Sequence, residues 1–194
     1  MVFYFEFKKG LKMASKEEVW GNPAALGLVG FGLTTIALSL ANAGIIPTTG
    51  LTIGYAVSWG GLAQVFAGWI SFRRNDTFGG TAFSGYGLFW LGLALALILG
   101  LKISSSELGL WMLLWGIFTL YMDVGSILAK ARVLSIVLTL LFITFFILSA
   151  ADFTTSSMIL KAGGWIGLIT GILAVYLSMA IVINTVKGKT VVPE

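Results

Sequence analysis

The stretch "LGLWMLLWGIFTLYMDVGSILAKARVLSIVLTLLFITFFILSAA", Leu108–Ala151, contains three charged side chains, Asp123, Lys130 and Arg132. Two apolar runs flank the triplet "KAR". Each run is about 20 residues long, the length a helix needs to cross a hydrocarbon core about 30 Å thick. Neither run carries the polar face of a water-exposed helix. A link as short as "KAR" sends the second helix back alongside the first. This stretch therefore reads as two antiparallel membrane spans.

Outward from it, the same pattern recurs. Six apolar runs stand at Ala24–Ala43, Leu51–Phe72, Phe83–Leu101, Leu108–Ala129, Val133–Ala151 and Ala162–Val186. The other links, "GIIPTTG", "RRNDTFGGTA", "KISSSE" and "DFTTSSMILK", are also short. The expected fold is an all-α integral membrane protein, six transmembrane helices in a compact bundle. Composition agrees, since 58% of the 194 residues are hydrophobic and 10% are charged, against about 25% charged in a soluble domain. Mean hydropathy is +0.98.

Charge placement sets the orientation. Lys8, Lys9, Lys12, Lys16, Arg73, Arg74, Lys130, Arg132, Lys187 and Lys189 fall on one side, and Lys102 and Lys161 on the other. The basic side is expected to be cytoplasmic, with both termini on it. The chain divides into an interfacial arm (1–21), the six-helix domain (22–187) and a cytoplasmic tail (188–194). No cleavable signal is expected, because the basic residues of the arm follow its apolar ones. Met13 is an alternative start, and the competing reading of the arm is an ordered interfacial segment. The net charge of +4 follows from topology, so no nucleic-acid partner is expected.

The chain has no cysteine and no histidine. Disulfides, histidine-ligated metal or haem, and Ser-His or Cys-His catalysis are excluded. No cofactor, metal or enzymatic activity is expected. An ionisable residue within a span is a functional candidate by default, and the clear case is Asp123, a candidate proton site. The competing reading has Asp123 snorkelling or paired with a basic neighbour near the interface. A mostly apolar interior with scattered hydroxyls suits a small, weakly hydrated solute, not a sugar or a bare metal cation. Gly163, Gly167 and Gly171 repeat every four residues, as do Ala63 and Ala67, a spacing that lets helices pack closely. Phe31 and Tyr86 sit within "VGFGL" and "SGYGLFW". A ring between glycines is exposed on its helix, either across a path or against a neighbouring helix.

Several motifs, in order, carry a resemblance. "NPAALGLVGFG" (Asn22–Gly32), "FAGWISFRRNDTFGGTAFSGYGLFW" (Phe66–Trp90), "LLWGIFTLYM", "ARVL", "GGWIGLITGILAVYLSMA" and "GKTVVP" resemble the acetate uptake transporter family, the succinate–acetate permeases. The resemblance runs from Asn22 to Pro193. It implies a multi-pass plasma-membrane carrier or channel for acetate and related small monocarboxylates, succinate among them, assembled as a homohexamer with a path through each protomer. It further implies a hydrophobic constriction of Phe31, Tyr86 and Leu141, with Ala174 bordering the same path.

The chain departs from the family pattern in four places. Ala25 stands where the signature has its second proline, Ile181 where many bacterial members carry Glu, and Asp123 where an apolar residue is usual. The "SILAKAR" turn is one residue longer. These departures bear on proton coupling and substrate range. Asn22 and Pro23 suit a helix cap and a first helical position. The helix start at Asn22 is also a candidate attraction site for the substrate carboxylate. The rival functions are a channel for urea, another amide or ammonia, and a non-transporting membrane assembly or sensor protein.

Overall fold

The computed structural model describes residues 20–194. Met13, the four N-terminal lysines and nearly all of the expected arm lie outside the described residues. Six helices follow in chain order: α1 (Ala24–Asn42), α2 over 50–73, α3 (Thr77–Ile98), α4 (Ser105–Leu128), α5 (Arg132–Thr154) and α6 (Ser157–Lys187). Helix α2 has three parts, Gly50–Tyr55, a π-helical turn pair Ala56–Ala63, and Gln64–Arg73. Among the described residues, α1 and α3 to α6 are each long and apolar enough to cross a membrane. Helix α2 has a similar length but changes its winding midway.

Local chemistry explains where the helices start and stop. Asp76 caps α3, its Oδ1 accepting from the Gly79 N–H at 2.8 Å, so α3 begins six residues before the expected Phe83. Ser104 and Glu107 form a reciprocal capping box at α4, the arrangement that satisfies two free donors at once. Ser156 caps α6, and the expected ten-residue link "DFTTSSMILK" shrinks to Thr155 and Ser156. Each helix is followed by a residue in the left-handed region: Gly44, Asn75, Gly100, Lys130, Thr155 and Gly188. That conformation closes the last carbonyls and turns the chain.

Packing pairs α1 with α6, α2 with α3, and α4 with α5. Glycine makes the first two pairs close. A Cβ on Gly32 would lie 2.8 Å from the Gly171 carbonyl oxygen, and one on Gly87 would lie 2.9 Å from that of Gly61. In α6, Gly167 and Gly171 of the repeated motif face α1, while Gly163 faces Leu148 of α5. Leu88, Leu114, Ile117, Ile136, Ile169 and Ile172 point outward and are exposed. Such an apolar perimeter fits lipid rather than water.

Candidate functional site

Two cavities lie in line along the bundle interior. The larger, about 310 Å³, starts among the beginnings of α1, α3 and α5, where Ala24, Asp76 and Ala131 line it. The smaller, about 30 Å³, lies further along the same three helices. Three residues line both: Phe31, Tyr86 and Leu141. All three are at most 5% exposed. The side chains implied by the family resemblance thus meet at one level, between two voids. Because the lining numbers rise from the large cavity to the small one on each helix, α1, α3 and α5 run in the same direction.

The lining has a period. Ala24, Gly79 and Leu134 form one layer, then Leu28, Phe83 and Leu138, then Phe31, Tyr86 and Leu141, then Thr35, Trp90 and Phe145. Each layer takes residues spaced 55 apart in sequence. Within each helix the steps are three or four residues, the spacing of one helical face. Most of the cavity lining therefore comes from three like-directed helices at equivalent registers. "GFGL" (Gly30–Leu33) and "GYGL" (Gly85–Leu88) are the visible trace of this repeat, which reading the chain span by span passes over.

The constriction is held from outside. The Tyr86 hydroxyl donates to Thr119 Oγ1 at 3.0 Å, and Thr119 in turn donates to the Trp115 carbonyl at 2.7 Å. The Tyr86 ring packs on Phe31 with 5.7 Å between centroids and edge-on to Phe118 at 5.2 Å. Its hydroxyl is thus engaged by Thr119 of α4, and the residue borders both cavities. The glycines beside the rings serve the neighbouring helices. A Cβ on Gly30 would meet the Trp59 carbonyl oxygen, and one on Gly85 would lie 2.9 Å from Phe118.

Gln64 is a lining residue that the sequence does not single out. It is fully buried and lines the large cavity. Its Nε2 donates to the Gly60 carbonyl at 2.7 Å, a carbonyl within the π-helical turn. The reversed amide would set two carbonyl-type oxygens against each other, so the chemistry fixes the orientation. Its Oε1 has no partner. The Gly60–Gly61 pair ahead of Gln64 was the sequence signal for altered winding.

The other expected site residues line neither cavity. Ala174 is fully buried in α6 but lines neither cavity. Asn22 is exposed, and its Oδ1 accepts from the Ala24 N–H at 3.0 Å. Pro23 has helical dihedrals, and its carbonyl receives the Gly27 N–H. Substituting Asn22→Ala is expected to cost about 1 kcal/mol of stability while leaving acetate flux per folded molecule unchanged. Thermal unfolding alongside proteoliposome uptake checks both halves.

Asp123 is 4% exposed and lines neither cavity. Its Oδ1 accepts from Ser126 Oγ at 3.1 Å and its Oδ2 from Thr139 Oγ1 at 2.8 Å. Ser126 Oγ also meets Ser135 Oγ at 2.9 Å. Hydroxyls of α4 and α5 hold the carboxyl between the two helices.

A family model described as the GPR1/FUN34/yaaH family matches residues 3–194. The "Succinate-acetate/proton symporter SatP" of Escherichia coli K12 is 44% identical over 177 residues, covering 89% of this chain and 94% of that protein. The "Ammonia transport outward protein 2" of Saccharomyces cerevisiae is 36% identical over 170 residues, covering 81% of this chain and 60% of that protein. A solved structure, "Structure of the bacterial acetate channel SatP", superposes with a TM-score of 0.87 at 42% identity, covering 90% of this chain and 99% of that one.

Proposed function

The chain belongs to the GPR1/FUN34/yaaH family, and from that premise we propose that it carries acetate and related small carboxylates, succinate among them, across the plasma membrane. The carrying observation is the pair of in-line cavities that share only Phe31, Tyr86 and Leu141. In this reading those three side chains are the gate. The composite α2 is the sixth span. The Arg73, Arg74, Lys130 and Arg132 side of the bundle faces the cytoplasm together with both chain ends. The hexamer rests on the family resemblance alone.

The geometry supports a physical sequence of events. Acetate is one methyl and one carboxylate. A constriction of two rings and a leucine expels water and holds back strongly hydrated ions. It admits a methyl, which gains from apolar surroundings. Gln64 lines the large cavity as a residue, and its Oε1 is buried without a partner. Asp76 and Glu194 line the same cavity and add no attraction for a bare anion.

Asp123 fits the role of an interhelical tie better than that of a relay, because its oxygens are engaged by hydroxyls away from both cavities. Thr139→Val removes one of those hydrogen bonds. It is expected to lower stability by about 1 kcal/mol, the net worth of a typical hydrogen bond, with acetate uptake per folded molecule retained. Loss of uptake at unchanged stability would assign Asp123 to transport instead.

Radiolabelled acetate uptake by purified protein in liposomes tests the function. Competition by succinate but not by urea or ammonium is the expected outcome. Competition by ammonium alone would favour the activity named for the yeast relative, and no flux at all would favour a non-transporting role. Acetate-evoked current in a planar bilayer separates the two modes of movement. A current following the acetate gradient means the anion passes alone, and uptake without current means acid or proton-linked transfer.

A further inference from the structure

The chain folds back on itself after α6. Gly188 stands in the left-handed region, and its N–H closes the last helical turn on the Thr185 carbonyl at 3.2 Å. The segment that follows returns along the helix. Val191 and Val192 reach Asn184. The Pro193 carbonyl accepts from the Tyr176 hydroxyl at 3.1 Å, about two helical turns further back. Asn184 is 8% exposed, and the returning segment engages its whole amide. Its Oδ1 accepts from the Val191 and Val192 N–H groups at 2.7 and 2.9 Å. Its Nδ2 donates to the Val192 carbonyl at 2.8 Å and to Glu194 Oε1 at 2.6 Å. A primary amide has two donors and two acceptor positions, and all four are used.

This clamp lies at the entrance of the large cavity. Leu177 and Ile181 of α6 line that cavity, and Asn184 follows them at the three- and four-residue steps of one helical face. Glu194 lines the same cavity, as do Ala24, Asp76 and Ala131 at the starts of α1, α3 and α5. Glu194 is also exposed, so it stands where the cavity meets solvent. Capping α6 does not require the Asn184 bonds, since Gly188 already closes the last turn. What the bonds do is hold residues 191–194 against the helix and keep Glu194 at the cavity mouth.

We propose that residues 189–194 are a latch across the mouth of the large cavity, and that Asn184 is the positioning residue that keeps it shut. The segment has no helix or strand of its own. One amide and one hydroxyl of α6 supply the bonds described above. Such a segment opens locally, without unfolding the bundle it lies on. Its release removes Glu194 from the entrance and widens the way to the constriction. The consequence for transport rests on the acetate reading above, whereas the latch itself does not.

The test reads access to the cavity directly. The chain has no cysteine, so Ala82→Cys provides a single reporter thiol at a buried position that lines the large cavity. Its rate of reaction with a small methanethiosulfonate reagent in detergent follows the open fraction of the mouth. In that background Asn184→Leu is expected to speed labelling about tenfold or more, the effect of losing at least two ordinary hydrogen bonds. Tyr176→Phe removes one bond and is expected to speed it about threefold. Truncation after Gly188 is expected to match Asn184→Leu, and Asn184→Leu placed in the truncated chain is expected to add nothing. An equal acceleration by Asn184→Leu with no tail to release would mean that Asn184 only holds α6 together, and it overturns the proposal. So does labelling at the unmodified rate in both Asn184→Leu and the truncated chain. Initial acetate uptake by the truncated chain in proteoliposomes is expected to be faster than that of the wild type, and unchanged uptake overturns the latch's bearing on transport. A wild type that carries no acetate overturns the transport reading, while the labelling rates still decide the latch.

Discussion

Tyr86→Ala and Leu141→Ala proteins admit longer carboxylates than the wild type does. Butyrate and hexanoate are expected to compete strongly with labelled acetate for entry into variant proteoliposomes, and weakly with the wild type. Each methylene a site excludes is worth about 1–3 kcal/mol, so relaxing the gate is expected to shift the acetate-to-butyrate preference by about tenfold or more. Leu141 is 3% exposed, and truncating it joins the two cavities it separates. The stability cost falls in the usual range of about 2–5 kcal/mol for such a truncation. Tyr86→Phe is the control. It removes the hydroxyl bonded to Thr119 but keeps the ring, so the competition profile stays that of the wild type. If Tyr86→Phe relaxed selectivity as far as Tyr86→Ala, the hydroxyl and not the ring would be the selective element.

The second large effect comes from a glycine beside the gate. Gly30→Val is expected to abolish recovery of monodisperse protein from detergent. A side chain there drives into the Trp59 carbonyl, which belongs to the π-helical stretch of α2. Backbone cannot move aside as a flexible side chain can, so the cost falls at or beyond the top of the usual overpacking range of about 1–3 kcal/mol. Gly21→Ala, where a Cβ meets nothing within 4 Å, is expected to be neutral. Recovery of Gly30→Val at wild-type yield and size would mean that the contact between α1 and α2 is looser than described.

The contrast between those two glycines shows what the sequence made legible. Apolar runs marked the five helices long and apolar enough to cross a membrane, because burial in lipid demands length and composition, and both are visible in one dimension. Helix ends were less legible. Asp76 capping α3 and the left-handed Thr155 depend on single side chains and backbone angles that hydropathy does not report. The π-helical stretch 56–63 is apolar except for Ser58, so hydropathy periodicity does not report its change of winding and only the Gly60–Gly61 pair hints at it.

The site was legible in two different ways. Phe31, Tyr86 and Leu141 came from resemblance, although their spacing of 55 residues was present in the sequence throughout. Asn22, read as a helix start, accepts from the Ala24 N–H, and Ala174, taken from the resemblance, is buried in α6 and lines neither cavity. Gln64 and Asn184 were indistinguishable from packing residues until the structure showed which partners their amides have. Hydrogen-bond satisfaction is a property of three-dimensional neighbours and leaves no trace in spacing.

The chain contains no cysteine, so a single one can be placed in the gate and modified without background. Leu141→Cys protein in liposomes is expected to take up acetate. Uptake is expected to stop when a small methanethiosulfonate reagent labels residue 141, and to return when a reductant removes the label. Ile136→Cys, on the outward face of the same helix, is expected to keep its flux after labelling. Undiminished acetate uptake by protein shown by mass spectrometry to be fully labelled at residue 141 would contradict a solute path through Phe31, Tyr86 and Leu141.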